Sequence, residues 1–162
     1  MDKKKGYMRN FVFGVEDSLV STVGLLSGVA ATGSESRAIF ATGVILILVE
    51  AFSMAVGSFL SENSAEEFAE HREEPFSISI PDSLVMFFSY FISGFVPLFP
   101  YIFLPAGAAM PISIGASLAA LCLLGAVSGR ISRTSLFKSI AKMVILGGIA
   151  IAAGVAVGSF LR

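Results

Sequence analysis

The chain has 162 residues, 55% of them hydrophobic and only 14% charged, with a formal net charge of −1 and a mean hydropathy of +0.84. Soluble domains carry about 25% charged residues because they need a water-facing surface, and this composition cannot cover one. The small net charge excludes the broad basic footprint of a nucleic-acid binder, and the single cysteine, Cys122, excludes a disulfide framework and a Cys-based zinc site.

The basic N-terminus, residues 1–10, precedes an apolar stretch as in a signal peptide. Glu16 and Asp17 lie inside that stretch, however, where a cleavable segment is uncharged, so it reads as a permanent span. A helix needs about 20 apolar residues to cross the ~30 Å hydrocarbon core. Residues 11–31 and 38–60 meet this length, the second with Glu50 as its only charge. Residues 83–129 form 47 residues without a charge. As helix they would extend roughly 70 Å, enough for two crossings. Proline and glycine at Leu104-Pro105-Ala106-Gly107 place the hairpin, giving spans at 83–104 and 106–129. Pro97, Pro100 and Pro111 are expected to kink or interrupt these helices. The fifth span covers 143–161. The predicted fold is therefore an all-α integral membrane domain of five transmembrane helices, with no second domain.

Basic residues set the orientation. Lys3, Lys4, Lys5 and Arg9 precede the first span, and Arg130, Arg133, Lys138 and Lys142 lie between the fourth and fifth. Four crossings separate the two clusters, so both fall on one side. The N-terminus is expected in the cytoplasm and the C-terminus across the membrane.

The acidic segment 61–82 then faces the cytoplasm as well. Its alanines and glutamates favour helix up to Pro75, and residues 77–81 read as a linker. As a helix it sets Glu62, Glu66, Glu70 and Glu73 or Glu74 along one face, and Glu67, His71 and Glu74 along the next. Carboxylates with an imidazole can gather Mn²⁺ or Fe²⁺. The competing reading is a solvated helical extension. A ferritin-type Glu-x-x-His is absent, and His71 is the only histidine, so no His pair is available for catalysis.

A charge near the centre of a span costs about 2.5–3.5 kcal/mol on insertion scales, which makes Asp17 and Glu50 the strongest functional signals. No Lys or Arg within the five spans can pair with Glu50. Met54 follows it at i+4, placing a thioether on the carboxylate's face. The plainer alternative is a protonated, hydrogen-bonded glutamate beside a lipid-facing methionine. Ser21, Gly24 and Gly28 continue the Asp17 face, and Gly24-x-x-x-Gly28 suggests close helix approach and self-association. Glu16 points about 100° away, toward the interface.

Three segments resemble the vacuolar iron transporter (VIT) family of Fe²⁺/Mn²⁺ transporters: RNFVFGVEDSLVST at 9–22, SMAVGSFLS at 53–61, and FISGFVPLFP at 91–100. The Gly-rich last span extends the resemblance over nearly the whole chain. It implies a homodimer of five-helix protomers, an ion path between protomers at helix one, and proton-coupled export of divalent metal from the cytosol. The family aspartate of helix one falls on Asp17, and the methionine of the helix-two Ser-Met motif falls on Met54. Ser18 replaces the usual glycine after that aspartate, and Ser58 stands where a glutamate is common. The family glutamate two turns before the methionine falls on Leu46, with Glu50 one turn later on a similar face. The long cytoplasmic metal-binding domain is reduced to 61–82.

The leading expectation is thus a dimeric exporter with Asp17, Glu50 and Met54 as a membrane metal site. Glu62, Glu66, Glu67, Glu70, His71, Glu73 and Glu74 form a weaker cytoplasmic one. It carries transported Fe²⁺ or Mn²⁺ and no resident cofactor, and its partners are metal ions, protons, lipid and a second copy. The short acidic segment favours a prokaryotic plasma membrane over a vacuolar one. The alternative is a non-transporting membrane scaffold or partner of a metal-handling protein.

Overall fold

The computed structural model describes residues 3–71 and 79–162. Among them run six helices and no strand: α1 (Lys3–Ala31), α2 (Ser36–Glu70), α3 (Ile80–Leu98), α4 (Pro100–Phe103), α5 (Ala106–Ile131) and α6 (Leu136–Phe160). All but α4 are long and apolar enough to cross a membrane. A helix satisfies its own backbone polar groups, which hydrocarbon demands of any spanning element. Large apolar side chains such as Ile45, Phe52, Ile92, Leu123 and Ile149 point outward. That outward face suits lipid, and the chain is an all-α integral membrane protein.

Helix limits differ from hydropathy limits where charged residues still favour helix. α1 begins at Lys3, ahead of its apolar stretch. α2 runs on through the acidic segment to Glu70 and stops where His71 turns left-handed, at φ 53°. α6 begins at Leu136 and takes Lys138 and Lys142 into its first turns. The third span is shorter than the expected 83–104, because α3 ends at Leu98. Pro100 has no N–H to continue the ladder and its ring crowds the preceding turn. The chain restarts as the single turn α4, and reverses through extended Leu104 and Pro105.

A broken helix leaves carbonyls to satisfy within the membrane. The Phe99 N–H donates to Phe95 O at 2.9 Å. Ser113 Oγ donates to Pro97 O at 2.7 Å, and Ser36 Oγ donates to Leu104 O at 3.1 Å. These bonds hold the irregular turn against α5 and the start of α2. Pro111, near the start of α5, does not end it.

Residue pairings give the direction of each helix. Asn10 meets Asp82 and Ser18 meets Tyr90, both with an offset of 72. Gly14 faces Met86 at the same offset. α1 and α3 are therefore parallel and in step. Gly24 lies on Ala150 and Gly28 on Gly154, so α6 is parallel to α1 as well. Gly43 lies on Leu98 and Gly94 on Ile47, which makes α2 antiparallel to α3. Gly125 on Ile140 and Gly129 on Leu136 make α5 antiparallel to α6. The two termini thus emerge at opposite ends of the bundle. α1 lies at its centre, in contact with α2, α3, α5 and α6.

Two apolar clusters fill the interior. Leu26, Ile39, Ile47, Leu98, Tyr101 and Ala109 join α1 to α2, α3, α4 and α5. Leu19, Leu121, Leu124 and Met143 join it to α5 and α6. Between them and the end of α1, the helices touch backbone to backbone. A Cβ on Gly28 would stand 2.8 Å from Gly154 O, and one on Gly158 would run into Gly28 O. The Gly24/Gly28 face of α1 is therefore occupied by the Gly154/Gly158 face of α6. This corrects the expectation that it serves self-association: both glycine pairs are used in one crossing inside the protomer.

Candidate metal pathway

The site is built on the α1–α2 register. Arg9 forms an ion pair and hydrogen bond with Glu62 at 2.5 Å, with the arginine side chain 55% exposed and the glutamate 8%. Asp17 lies eight residues beyond Arg9, and Met54 eight residues before Glu62. Because antiparallel helices rise equally per residue, Asp17 and Met54 stand at the same height. Glu50 is one turn further along α2 and close enough to Asp17 for their charges to interact. All three side chains are half-buried. Asp17 and Glu50 thus lie near each other on α1 and α2, while Met54 lines a cavity that neither carboxylate lines.

α3 and α1 each contribute a residue that sequence reasoning passed over. Tyr90 is fully buried. Its hydroxyl and that of Ser21 share a hydrogen bond of 2.7 Å, while Ser18 Oγ donates to its carbonyl at 2.6 Å. Both carboxylates, Asp17 and Glu50, act electrostatically on Tyr90. A tyrosine at mid-span rather than at a membrane interface was the available signal. Asn10 is the second omission from α1: Nδ2 donates to Asp82 Oδ1 at 3.2 Å and to Asp82 O at 3.3 Å. A Cβ on Gly6 would stand 2.6 Å from Asp82 Oδ1, so the start of α3 is locked to α1.

Between the ion pair and the carboxylates lies a cavity of about 610 Å³, walled by Arg9, Asn10 and Phe13 of α1, Met54 and its neighbours on α2, and Met86 of α3. Ser58, on the same wall, has a buried Oγ with no partner among the described residues. Ser18, the other departure noted in sequence, is fully buried on the α3 side and tied to Tyr90.

The acidic set expected on the cytoplasmic side is dispersed. Glu62 is engaged with Arg9. Glu67 Oε1 accepts from Asn63 Nδ2 at 2.8 Å, and His71 is exposed beside the Phe68 ring. One oxygen of Glu66 is buried without a partner among the described residues. Glu73, Glu74 and the Glu70 side chain lie outside the described residues. Among the described residues, no three His, Cys, Asp or Glu side chains converge on one point. A single protomer offers two carboxylates and one thioether in the membrane, fewer donors than a hexacoordinate ion takes.

Fold and side chains together define a polytopic helical membrane protein with acidic groups set inside its spanning bundle. The chain matches the VIT family over residues 8–75 and 70–159. It is 24% identical to Vacuolar iron transporter 1 of Oryza sativa subsp. japonica, over 90% of this chain and 82% of that protein. It is 29% identical to Vacuolar iron transporter homolog 1 of Arabidopsis thaliana, over 93% of this chain and 80% of that protein. The corresponding figures for Vacuolar iron transporter 1 of Tulipa gesneriana are 23%, 96% and 87%. The chain belongs to the VIT family.

Proposed function

We propose that this protein transports divalent iron or manganese out of the cytosol, working as a homodimer whose membrane site takes Asp17, Glu50 and Met54 from each protomer. The observation that carries the reading is the placement of two carboxylates, Asp17 and Glu50, on the contacting spans α1 and α2, near enough for their charges to interact. No Lys or Arg occurs in α2 beyond Arg37, or in α1 beyond Arg9, to neutralise them. Half-buried carboxylates inside a span, without a cationic side chain, favour a proton or a metal ion as counter-charge. Two hard carboxylates with a softer sulfur suit Fe²⁺ or Mn²⁺ better than Mg²⁺, which prefers oxygen and retained water. The same carboxylates can exchange metal for protons, which would couple transport to the proton gradient. The names of the relatives, vacuolar iron transporters, point the same way.

A dimer follows from the donor shortfall of one protomer. Its contact uses the outward face of α1 and α2 near Phe13 and Gly57 rather than the Gly24/Gly28 face. Phe13 is 50% exposed, and a Cβ on Gly57 would meet nothing within 4 Å. Flux of Fe²⁺ and Mn²⁺ into proteoliposomes tests the reading directly. Uptake by the parent protein that is abolished in Glu50→Gln supports it; absence of uptake for both ions would refute it.

A further inference from the structure

We propose that the groove between the start of α1 and the end of α5 binds an anionic phospholipid, with the phosphate at the mouth and an acyl chain along the wall. The groove encloses about 550 Å³, within the roughly 300–1,000 Å³ of small-ligand sites. Its lining changes character along the helix axis. Lys4 and Lys5 stand at the mouth, Arg9 lies one turn further in, and Ser128 and Ser132 of α5 form the opposite wall. Met8, Val12, Phe13 and Ile131 supply the apolar surface. Lys5, Met8, Val12 and Glu16 recur at three- and four-residue spacing, so one face of α1 runs from charged to apolar going inward. The charged residues precede the apolar stretch of α1, which sets the mouth at the membrane boundary, where lipid phosphates lie.

A headgroup phosphate needs cations and hydrogen-bond donors in that layer, and basic pockets between spanning helices supply both. Lys5 is exposed and makes no ion pair or hydrogen bond among the described residues. Arg9 gives one N–H group to Glu62, and its planar fork keeps further donors for a phosphate oxygen. The positive end of the α1 macrodipole lies at the same mouth, and exposed Arg130 and Arg133 flank Ser132 in the chain. Carbonyls at the end of α5 would oppose an anion, but they are turned into their own cap. The Ser132 N–H donates to Ser128 O and the Thr134 N–H to Gly129 O, both at 2.9 Å. Glu16 is the one carboxylate among the lining residues. It sits at the deep end, eleven residues from Lys5 and hence roughly 16 Å along the axis, clear of the phosphate position. Three cationic side chains against one carboxylate exclude a metal ion as the occupant. A free phosphate would leave the Val12–Phe13 wall uncovered, whereas a phospholipid covers both parts.

Native mass spectrometry of the purified protein in mild detergent, titrated with phosphatidylglycerol, counts the bound lipid and gives its apparent Kd. Phosphatidylcholine with the same acyl chains should bind at least about fivefold more weakly, and excess inorganic phosphate should fail to displace phosphatidylglycerol. Lys5→Gln should raise the apparent Kd for phosphatidylglycerol about fivefold. Lys138→Gln removes the same charge at the same end of the bundle but outside the groove, and should leave the Kd unchanged. Both lysines are exposed, so neither variant disturbs the packed interior. Equal weakening by the two variants would overturn the proposal in favour of a diffuse basic surface. Equal binding of phosphatidylcholine, or displacement by inorganic phosphate, would overturn it as well. No transported ion enters the measurement, so its result stands apart from the transport reading.

Discussion

Asp17 of α1 stands level with Met54 of α2 because Arg9 and Glu62 pair eight residues away on each helix, holding the two in antiparallel register. This places a carboxylate and a thioether at one depth, with Glu50 a turn beyond. The functional prediction starts there. Glu50→Gln keeps shape and hydrogen bonding but removes charge and titratable proton. It should abolish Fe²⁺ and Mn²⁺ flux while leaving thermal stability in detergent close to the parent. Normal transport by this variant would make Glu50 structural and the proposed site wrong.

The α1–α6 crossing predicts a stability defect rather than an assembly defect. In Gly158→Leu a side chain would have to occupy space held by the Gly28 carbonyl. Overpacking of this kind costs at least about 1–3 kcal/mol. Gly148→Ala, by contrast, meets no atom of the protomer and should be neutral or stabilising by up to about 1 kcal/mol. Thermal unfolding of both variants in mild detergent checks the contrast. Equal behaviour would mean that α6 does not seat on α1 in this way.

The Arg9–Glu62 pair predicts an asymmetric cycle. Arg9→Ala strands a carboxylate that is largely buried and should cost about 1–3 kcal/mol. Adding Glu62→Gln removes the stranded charge and should return most of that loss. If the double variant is as unstable as Arg9→Ala, the ion pair is not what links the two helices.

For the acidic extension of α2, replacing Glu66, Glu67, Glu70, Glu73 and Glu74 with Gln should lower apparent metal affinity and leave maximal flux largely intact. Concentration-dependent uptake separates the two parameters. Loss of flux at saturating metal would place these residues in the pathway itself.

Reporter fusions at the two ends of the chain should report opposite sides of the membrane, with the N-terminus inside. The odd number of spans requires the first result, and the basic residues beside α1 and between α5 and α6 require the second. Both reporters on one side would contradict the parallel packing of α1 and α6.

Hydropathy alone made the five spans legible, since a run long enough to cross hydrocarbon and free of charge has few other stable states. Asp17 and Glu50 were legible as candidates for a related reason: a carboxylate costs so much inside a span that it stands out against its neighbours. The faces of those spans were not legible. Helices surrounded by lipid are apolar on all sides, so no amphipathic stripe distinguishes a face turned toward protein from one turned outward. Gly24 and Gly28 announced a close approach, but only the folded bundle assigned it to Gly154 and Gly158 of α6. Glu62 reads in the sequence as one of the metal-gathering glutamates of the acidic face, but the bundle sets it against Arg9. Tyr90 joins the candidate pathway through contacts between residues 69 and 72 positions apart. Local composition decides which segments enter the membrane. Which side chains meet there depends on how distant helices fit together, and that was decided by the tertiary structure.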